Sequence, residues 1–364
     1  MISVSMRNGL LAVLLAGAWM AATVERNYGG HISALFQLGD RYRMPAAVVA
    51  EHPYVFPNSV GYDGQSYLLL ARDPWLTREE HQYLDAPVQR ARRILLPALA
   101  WLAALGAPSR VWMTYPLIVL LLIGLGASSR GLLFLLLPAT LISMDRMVVD
   151  GALCAFAAWW FSERGSRWGY VALAMAALTR ETGFLLIAGA CAAELTERRW
   201  RAALTYACCA LPALGWYAWL QTKMTAGATE LSIRPLVSIV HGLRNPEYDA
   251  SRLPFGALLR AMDYVALAAT AAMLVLAVVW LARGPRTAPA WAAGLFGLAG
   301  LLLSLDSSWT HVYSFGRIFS PLFLLLATAS PYRKSALALT GLVALRVLAQ
   351  LAPQAAGIVG LHVL

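Results

Sequence analysis

Residues Leu10 to Thr23 read LLAVLLAGAWMAAT, fourteen residues without a charge, behind one early cation at Arg7. From Glu25 to Arg93 the chain is polar. Two architectures fit such a start. One is a signal peptide, cleaved near Ala21–Ala22. The other is a first membrane span followed by a large loop. Eleven further apolar runs follow, from Ile94–Leu105 to Ala336–Leu351, and they favour a signal anchor.

Composition agrees. Apolar types make up 59% of the 364 residues, charged types 13%, and mean hydropathy is +0.61. Soluble domains are about 45–50% apolar and about 25% charged. A soluble enzyme, a disordered chain and a fibrous repeat are thereby excluded. The four cysteines (Cys154, Cys191, Cys208, Cys209) lie inside apolar runs, which argues against a disulfide framework or a cysteine zinc site. The formal charge of +10 comes mostly from arginines placed singly or in short clusters between apolar runs. That pattern marks membrane-flanking loops and no nucleic-acid partner.

The expected fold class is all-α, a polytopic transmembrane bundle in one integral membrane domain over 1–364. At about 20 residues per span it holds about 10–12 helices, several of them short. Its parts are the first span (1–25), an extracytoplasmic loop with short interfacial helices (26–93) and a helical region (94–221). A second outer loop (222–260) and the C-terminal spans (261–364) complete it. Arginine-rich loops at Glu163–Arg167, Glu197–Arg201, Arg283–Arg286 and Arg333–Lys334 read as cytoplasmic. One of the short runs between Ile94 and Phe161 must then fail to cross. No internal repeat is visible, which weighs against a transporter built on inverted repeats.

The loop from Arg26 to Arg93 carries seven acids and eight arginines, so its charge nearly cancels. Long ordered loops carry function. Within it lies GYDGQSYLLLARDP, Gly61 to Pro74. Asp63, Tyr67 and Ala71 are spaced to share one helical face. Asp63 reads as an N-cap, and Asp73-Pro74 ends the helix.

This stretch resembles the first external loop of GT-C glycosyltransferases, polytopic enzymes that use lipid-phosphate sugars. The Asp-x-x-x-Tyr-x-x-x-Ala pattern, Gly-Tyr-Asp-Gly-Gln and the following Ala-Arg-Asp-Pro are similar to bacterial members that build cell-surface glycopolymers. Arg90-Ala91-Arg92-Arg93-Ile94-Leu95-Leu96-Pro97, Leu178-Thr179-Arg180-Glu181-Thr182-Gly183 and Phe315-Gly316-Arg317-Ile318-Phe319-Ser320-Pro321 also look like that group. The resemblance implies an inner-membrane enzyme with a periplasmic active site. It implies a polyprenyl-phosphate sugar donor and a glycan or glycolipid acceptor as partners. Asp63 is then the catalytic base, with Asp40 the second candidate. Tyr62, Gln65, Tyr67, Arg92, Arg93, Arg180, Glu181 and Arg317 are the candidate substrate contacts. The adjacent acid pair of other branches is missing, so a divalent metal is not indicated.

The chemistry wants these groups. A carboxylate takes the proton of the attacking hydroxyl. Cations receive the charge that builds on the departing lipid phosphate. Ionisable residues at membrane depth, such as Arg180 and Glu181, are functional suspects. Blander readings stand beside these. Arg180–Glu181 serves equally as a structural ion pair, Arg92 and Arg93 as snorkelling anchors, and Asp145–Arg146 as a local pair. Alternatively Asp145 or Asp150 lines an acceptor pocket. The loop 222–260, with Tyr248, Asp249 and Arg252, suits a lid. A transporter or flippase for a lipid-linked or small solute is the competing function, and a polysaccharide polymerase or ligase is a third.

Overall fold

The computed structural model describes residues 3–224, 232–244, 255–304 and 308–361. The lid candidates Tyr248, Asp249 and Arg252 lie outside the described residues. The described chain is helical, apart from a two-residue antiparallel ribbon that pairs Ser232–Ile233 with Leu303–Ser304.

Three helices are long and apolar enough to cross a membrane: Val4–Tyr28, Pro108–Arg130 and Gly256–Arg283. Three bent pairs raise the number to six if each is one span. They are Trp200–Cys208 with Leu211–Lys223, Val312–Ile318 with Ser320–Ala329, and Arg333–Gln350 with Ala352–Ile358. Length and composition therefore do not reach the expected ten to twelve crossings. The cause is interruption. Pro138–Arg146 has 9 residues and Asp150–Ser162 has 13. At 1.5 Å per residue these are about 14 and 20 Å long, against a hydrocarbon core of about 30 Å.

Ser3 caps the first helix by accepting the Met6 N–H at 3.2 Å. Gly29 ends it in the left-handed region at φ 58°, where a side chain is strained. The helix runs antiparallel to Val111–Arg130, and Ser5 Oγ donates to the Ser128 carbonyl at 2.7 Å. Small residues let the two approach. A Cβ on Gly9 would sit 2.8 Å from the Gly124 carbonyl and strike Ser128, whereas one on Gly17 would meet only Leu120 at 3.7 Å. Gly9→Leu is expected to cost about 1–3 kcal/mol by overpacking and to lower the melting temperature of the purified protein. Gly17→Ala is expected to leave it nearly unchanged.

The loop after the first helix is itself folded. Arg72 makes a bidentate pair with Glu51, both contacts at 2.9 Å, and Trp112 Nε1 donates to the same carboxylate at 2.5 Å. Burial would raise the Glu51 carboxyl, but hydrogen bonds from Arg72 and Trp112 hold it below its ordinary pKa. Asp73 receives Thr77 N–H and Oγ1–H and Arg78 N–H at 2.7–3.0 Å. The Ala-Arg-Asp-Pro stretch thus locks the loop. Arg72 Nη1 also reaches the Pro108 carbonyl at 3.4 Å. The chain that leaves Arg93 through helix Leu95–Ala103 is therefore back beside the loop by Pro108. Helix Leu95–Ala103, with 9 residues, is about 14 Å long and too short to span by itself.

Two helical hairpins rise toward the loop. Helices Pro138–Arg146 and Asp150–Ser162 meet at a turn with Met147 at φ 49°, and Gly151 N–H donates to Ser143 Oγ at 2.9 Å across it. Helices Arg167–Thr179 and Gly183–Thr196 meet at Arg180–Thr182. Each turn interrupts an apolar stretch and holds ionisable residues, an arrangement tolerated at depth only where protein surrounds it.

Candidate active site

The helix Asp63–Arg72 carries the proposed base. Three features seat it. Gly61 has φ +76°, which redirects the chain before the first turn. Tyr62 N–H donates to the Gln37 carbonyl at 3.0 Å. A Cβ on Gly64 would lie 2.9 Å from the Phe36 carbonyl and strike the Arg146 carbonyl, so only glycine lets this helix touch the first hairpin turn. The capping expectation needs correction. Tyr62, not Asp63, is the N-cap, and it caps with no side-chain hydrogen bond. The Asp63 carboxylate is aimed at arginines instead.

Asp63 Oδ1 accepts from Arg90 Nη2 at 2.7 Å, and Oδ2 from Arg317 Nη2 at 2.5 Å. Arg90 belongs to helix Pro87–Arg92. It also grips Asp85, Nε to Oδ1 at 2.9 Å and Nη2 to Oδ2 at 2.7 Å. Arg317 lies in the last turn of Val312–Ile318, one residue before the 49° bend into Ser320–Ala329. Arg317 is 8% exposed, and its Nε and Nη1 are buried without a hydrogen bond among the described residues. Burial would raise the Asp63 carboxyl, but Arg317 and Arg90 overcome it and hold the group well below the usual carboxylate range.

The network extends into both hairpins. Arg317 Nη1 stands 3.7 Å from Asp150 Oδ2, and Asp150 pairs closely with Arg180. Arg93 Nε donates to Glu181 Oε2 at 3.0 Å, and its Nη1 to Tyr67 Oη at 3.1 Å. Arg180 and Glu181 thus do not pair with each other. Each reaches across to a different element, and the expectation of a local ion pair is corrected accordingly. Arg93 is buried at 4% exposure, so it is no snorkelling anchor.

Tyr62 joins this group to a second one. Its ring lies 5.2 Å from Arg317 Cζ and 5.5 Å from Arg146 Cζ. Arg146 pairs with Asp145 at 2.7 Å and donates to Gln37 Oε1 at 2.5 Å. Asp145 also accepts from Tyr313 Oη at 3.4 Å and Gln354 Nε2 at 3.3 Å. The Asp145–Arg146 pair read from the sequence is present, within a larger set.

In comparisons with known proteins, no family model, no curated protein and no solved structure matches this chain.

Of the sequence candidates, the structure gathers Asp63, Tyr62, Tyr67, Arg93, Arg180, Glu181 and Arg317. It leaves three outside. Asp40 is exposed and accepts the backbone N–H groups of Asn58 and Ser59 at 2.9 and 3.0 Å. Those bonds hold its carboxyl below the ordinary value and commit it to a loop turn. Gln65 bridges Gly39 N–H (3.3 Å) and the Val60 carbonyl (2.9 Å), a clasp within the loop. Arg92 is half-buried and lies over the Tyr217 ring at 5.4 Å. Two members were not singled out as site residues from the sequence, Arg90 and Asp85. Arg90 and Arg93 are three apart, the spacing that sets both on one helical face. That was the available signal. Nothing in the sequence marks Asp85.

No group of three or more His, Cys, Asp or Glu suited to a metal occurs among the described residues. The acids of the site pair instead with arginines: Asp63 and Asp85 with Arg90, Asp63 with Arg317, Glu181 with Arg93 and Asp150 with Arg180.

Proposed function

We propose that this chain is a GT-C-type membrane glycosyltransferase. It moves a sugar from a polyprenyl-phosphate carrier to a glycan or glycolipid acceptor on the periplasmic side of a bacterial inner membrane. The observation that carries this reading is Asp63, seated on an ordered loop helix between Arg90 and Arg317, each contact within 2.7 Å.

The step is an in-line displacement. The acceptor oxygen bonds to the anomeric carbon, and its proton passes to the Asp63 carboxylate. The bond from that carbon to the phosphate oxygen breaks, and the lipid phosphate leaves with the electron pair. The configuration inverts. Arginines near the cleaved bond receive the developing charge. Arg317 suits this role because two of its buried nitrogens carry no hydrogen bond. An apolar cavity of about 320 Å³, lined by Leu15, Trp19, Leu141, Met144, Leu348 and Leu351, suits part of the carrier chain.

A carboxylate clamped by two arginines is a poor base, because proton transfer is efficient only when its pKa approaches the working pH. The lipid phosphate offers the arginines another anion. As Arg317 and Arg90 turn toward it, Asp63 is released and its pKa rises. Substrate binding thereby switches the base on. The pH dependence follows with a definite sign. The acidic limb of kcat/KM reports the free enzyme, where Asp63 is depressed, and falls at very low pH. The acidic limb of kcat reports the complex and is expected at higher pH. Coincident limbs would sink the switch.

The decisive experiment is transfer by the purified protein in nanodiscs, given a panel of polyprenyl-phosphate sugars and extracted envelope glycolipids. A new glycosylated product supports the enzyme. Binding of a lipid-linked sugar without product, together with its movement between leaflets, supports the flippase reading instead.

A further inference from the structure

At the opposite end of the bundle from Asp63, three helix ends meet. Ser5 in the first helix touches Ser128, and Ser162 Oγ reaches the Ser129 carbonyl at 3.4 Å. Two candidate spans, Val4–Tyr28 and Pro108–Arg130, terminate at this level. That is where a span meets lipid headgroups. Arg7, Arg130, Arg164 and Arg167 surround the junction. None of the four forms an ion pair among the described residues. The neighbouring acid, Glu163, accepts from Ser166 Oγ at 3.1 Å.

Two of these cations share one aromatic ring. Arg130 Cζ lies 3.9 Å from the centre of the Phe161 ring, and Arg164 Cζ lies 4.5 Å from the same centre. Arg130 makes one hydrogen bond among the described residues, to the Ala158 carbonyl at 3.5 Å, and its Nε is buried without a partner. Beside them Arg167 covers Trp168 at 5.1 Å, and Trp168 stacks on Trp159 at 6.0 Å. Indoles of this kind sit at the headgroup level. Two guanidinium groups that share one aromatic ring, neither in an ion pair among the described residues, offer donors to a phosphate.

We propose that Arg130 and Arg164, which share the Phe161 ring, bind the headgroup phosphate of an anionic phospholipid, with Arg7 and Arg167 completing the positive field. The source is the membrane because the seat lies where two spans end and is flanked by interfacial tryptophans. The site lies apart from the Asp63 cluster and does not depend on glycosyl transfer.

The test is native mass spectrometry of the full chain released from micelles with equal phosphatidylglycerol and phosphatidylcholine. Preferential retention of phosphatidylglycerol is expected. Each arginine near a membrane surface is worth about fivefold in binding. Arg130→Gln with Arg164→Gln is therefore expected to cut retention about 25-fold. Arg164→Gln alone, at an exposed position that does not threaten folding, is expected to cut it about fivefold. Arg110→Gln, at the other end of the same helix, is expected to leave it unchanged. Equal retention of the two lipids would overturn the proposal. So would indifference to Arg164→Gln, an equal loss from Arg110→Gln, or complete displacement of the lipid by inorganic phosphate.

Discussion

Asp63→Asn is expected to lower sugar transfer by about 100- to 10,000-fold, the usual contribution of a positioned general base. The variant keeps the shape of the side chain and loses the charge. It therefore leaves Arg90 and Arg317 facing a neutral amide, and Arg90 retains Asp85 as a partner. Two readouts separate lost chemistry from lost structure. Binding of a polyprenyl phosphate should persist, or tighten, because Arg317 no longer has to leave a carboxylate to reach the anion. The melting temperature should fall only modestly. Asp40→Asn is the matched control. Its carboxylate organises backbone N–H groups in an exposed turn, so transfer should stay near normal. If Asp40→Asn abolishes transfer and Asp63→Asn does not, the base assignment is wrong.

Arg317→Gln is expected to lower kcat by about 100- to 1,000-fold, the cost of removing one preorganised donor aimed at developing charge. It also removes one of the two clamps on Asp63. The carboxyl pKa should rise toward its ordinary value, and the acidic limb of kcat/KM should move to higher pH. A residue serving structure alone would not move that limb. Arg317→Lys keeps a cation but loses the fork that reaches Asp63 and Asp150 together, so it should recover only part of the rate. The double variant Asp63→Asn with Arg317→Gln should lose far less than the product of the single effects, because the two groups act as one unit. Strict additivity would show that they do not.

Much of the site was legible in the chain because its parts are local. Asp63 and Tyr67 stand four apart on a short helix closed by Asp73-Pro74, and that helix is present with those ends. Arg180, Glu181 and Arg317 could be picked out because an ionisable residue inside an apolar run is costly and needs a reason. The same logic misjudged their partners. Arg180 next to Glu181 reads as a pair, yet at the hairpin turn the two side chains serve different neighbours, Asp150 and Arg93. Adjacency in sequence says little about direction once the helix has ended. The motif ranks Asp63 above Asp40, and the structure separates them by their partners: two arginines on Asp63, backbone N–H groups of an exposed turn on Asp40.

Apolar content and arginine spacing were enough to establish a helical chain with membrane-spanning candidates, because the cost of burying charge in lipid acts residue by residue. The number of helices long enough to span was not accessible that way. An apolar run of a dozen residues is compatible with crossing, with half-crossing and with return. Helix Leu95–Ala103 is followed at once by chain held beside the loop, because Arg72 reaches the Pro108 carbonyl and Trp112 donates to Glu51. The tertiary structure alone decided that helix breaks far apart in the chain converge on one carboxylate. Arg317 meets Asp63 across 254 positions, a contact no local propensity encodes. It forms because buried charges must find opposite charges, and the hairpin turns and the bend after Arg317 are where the backbone leaves room for them.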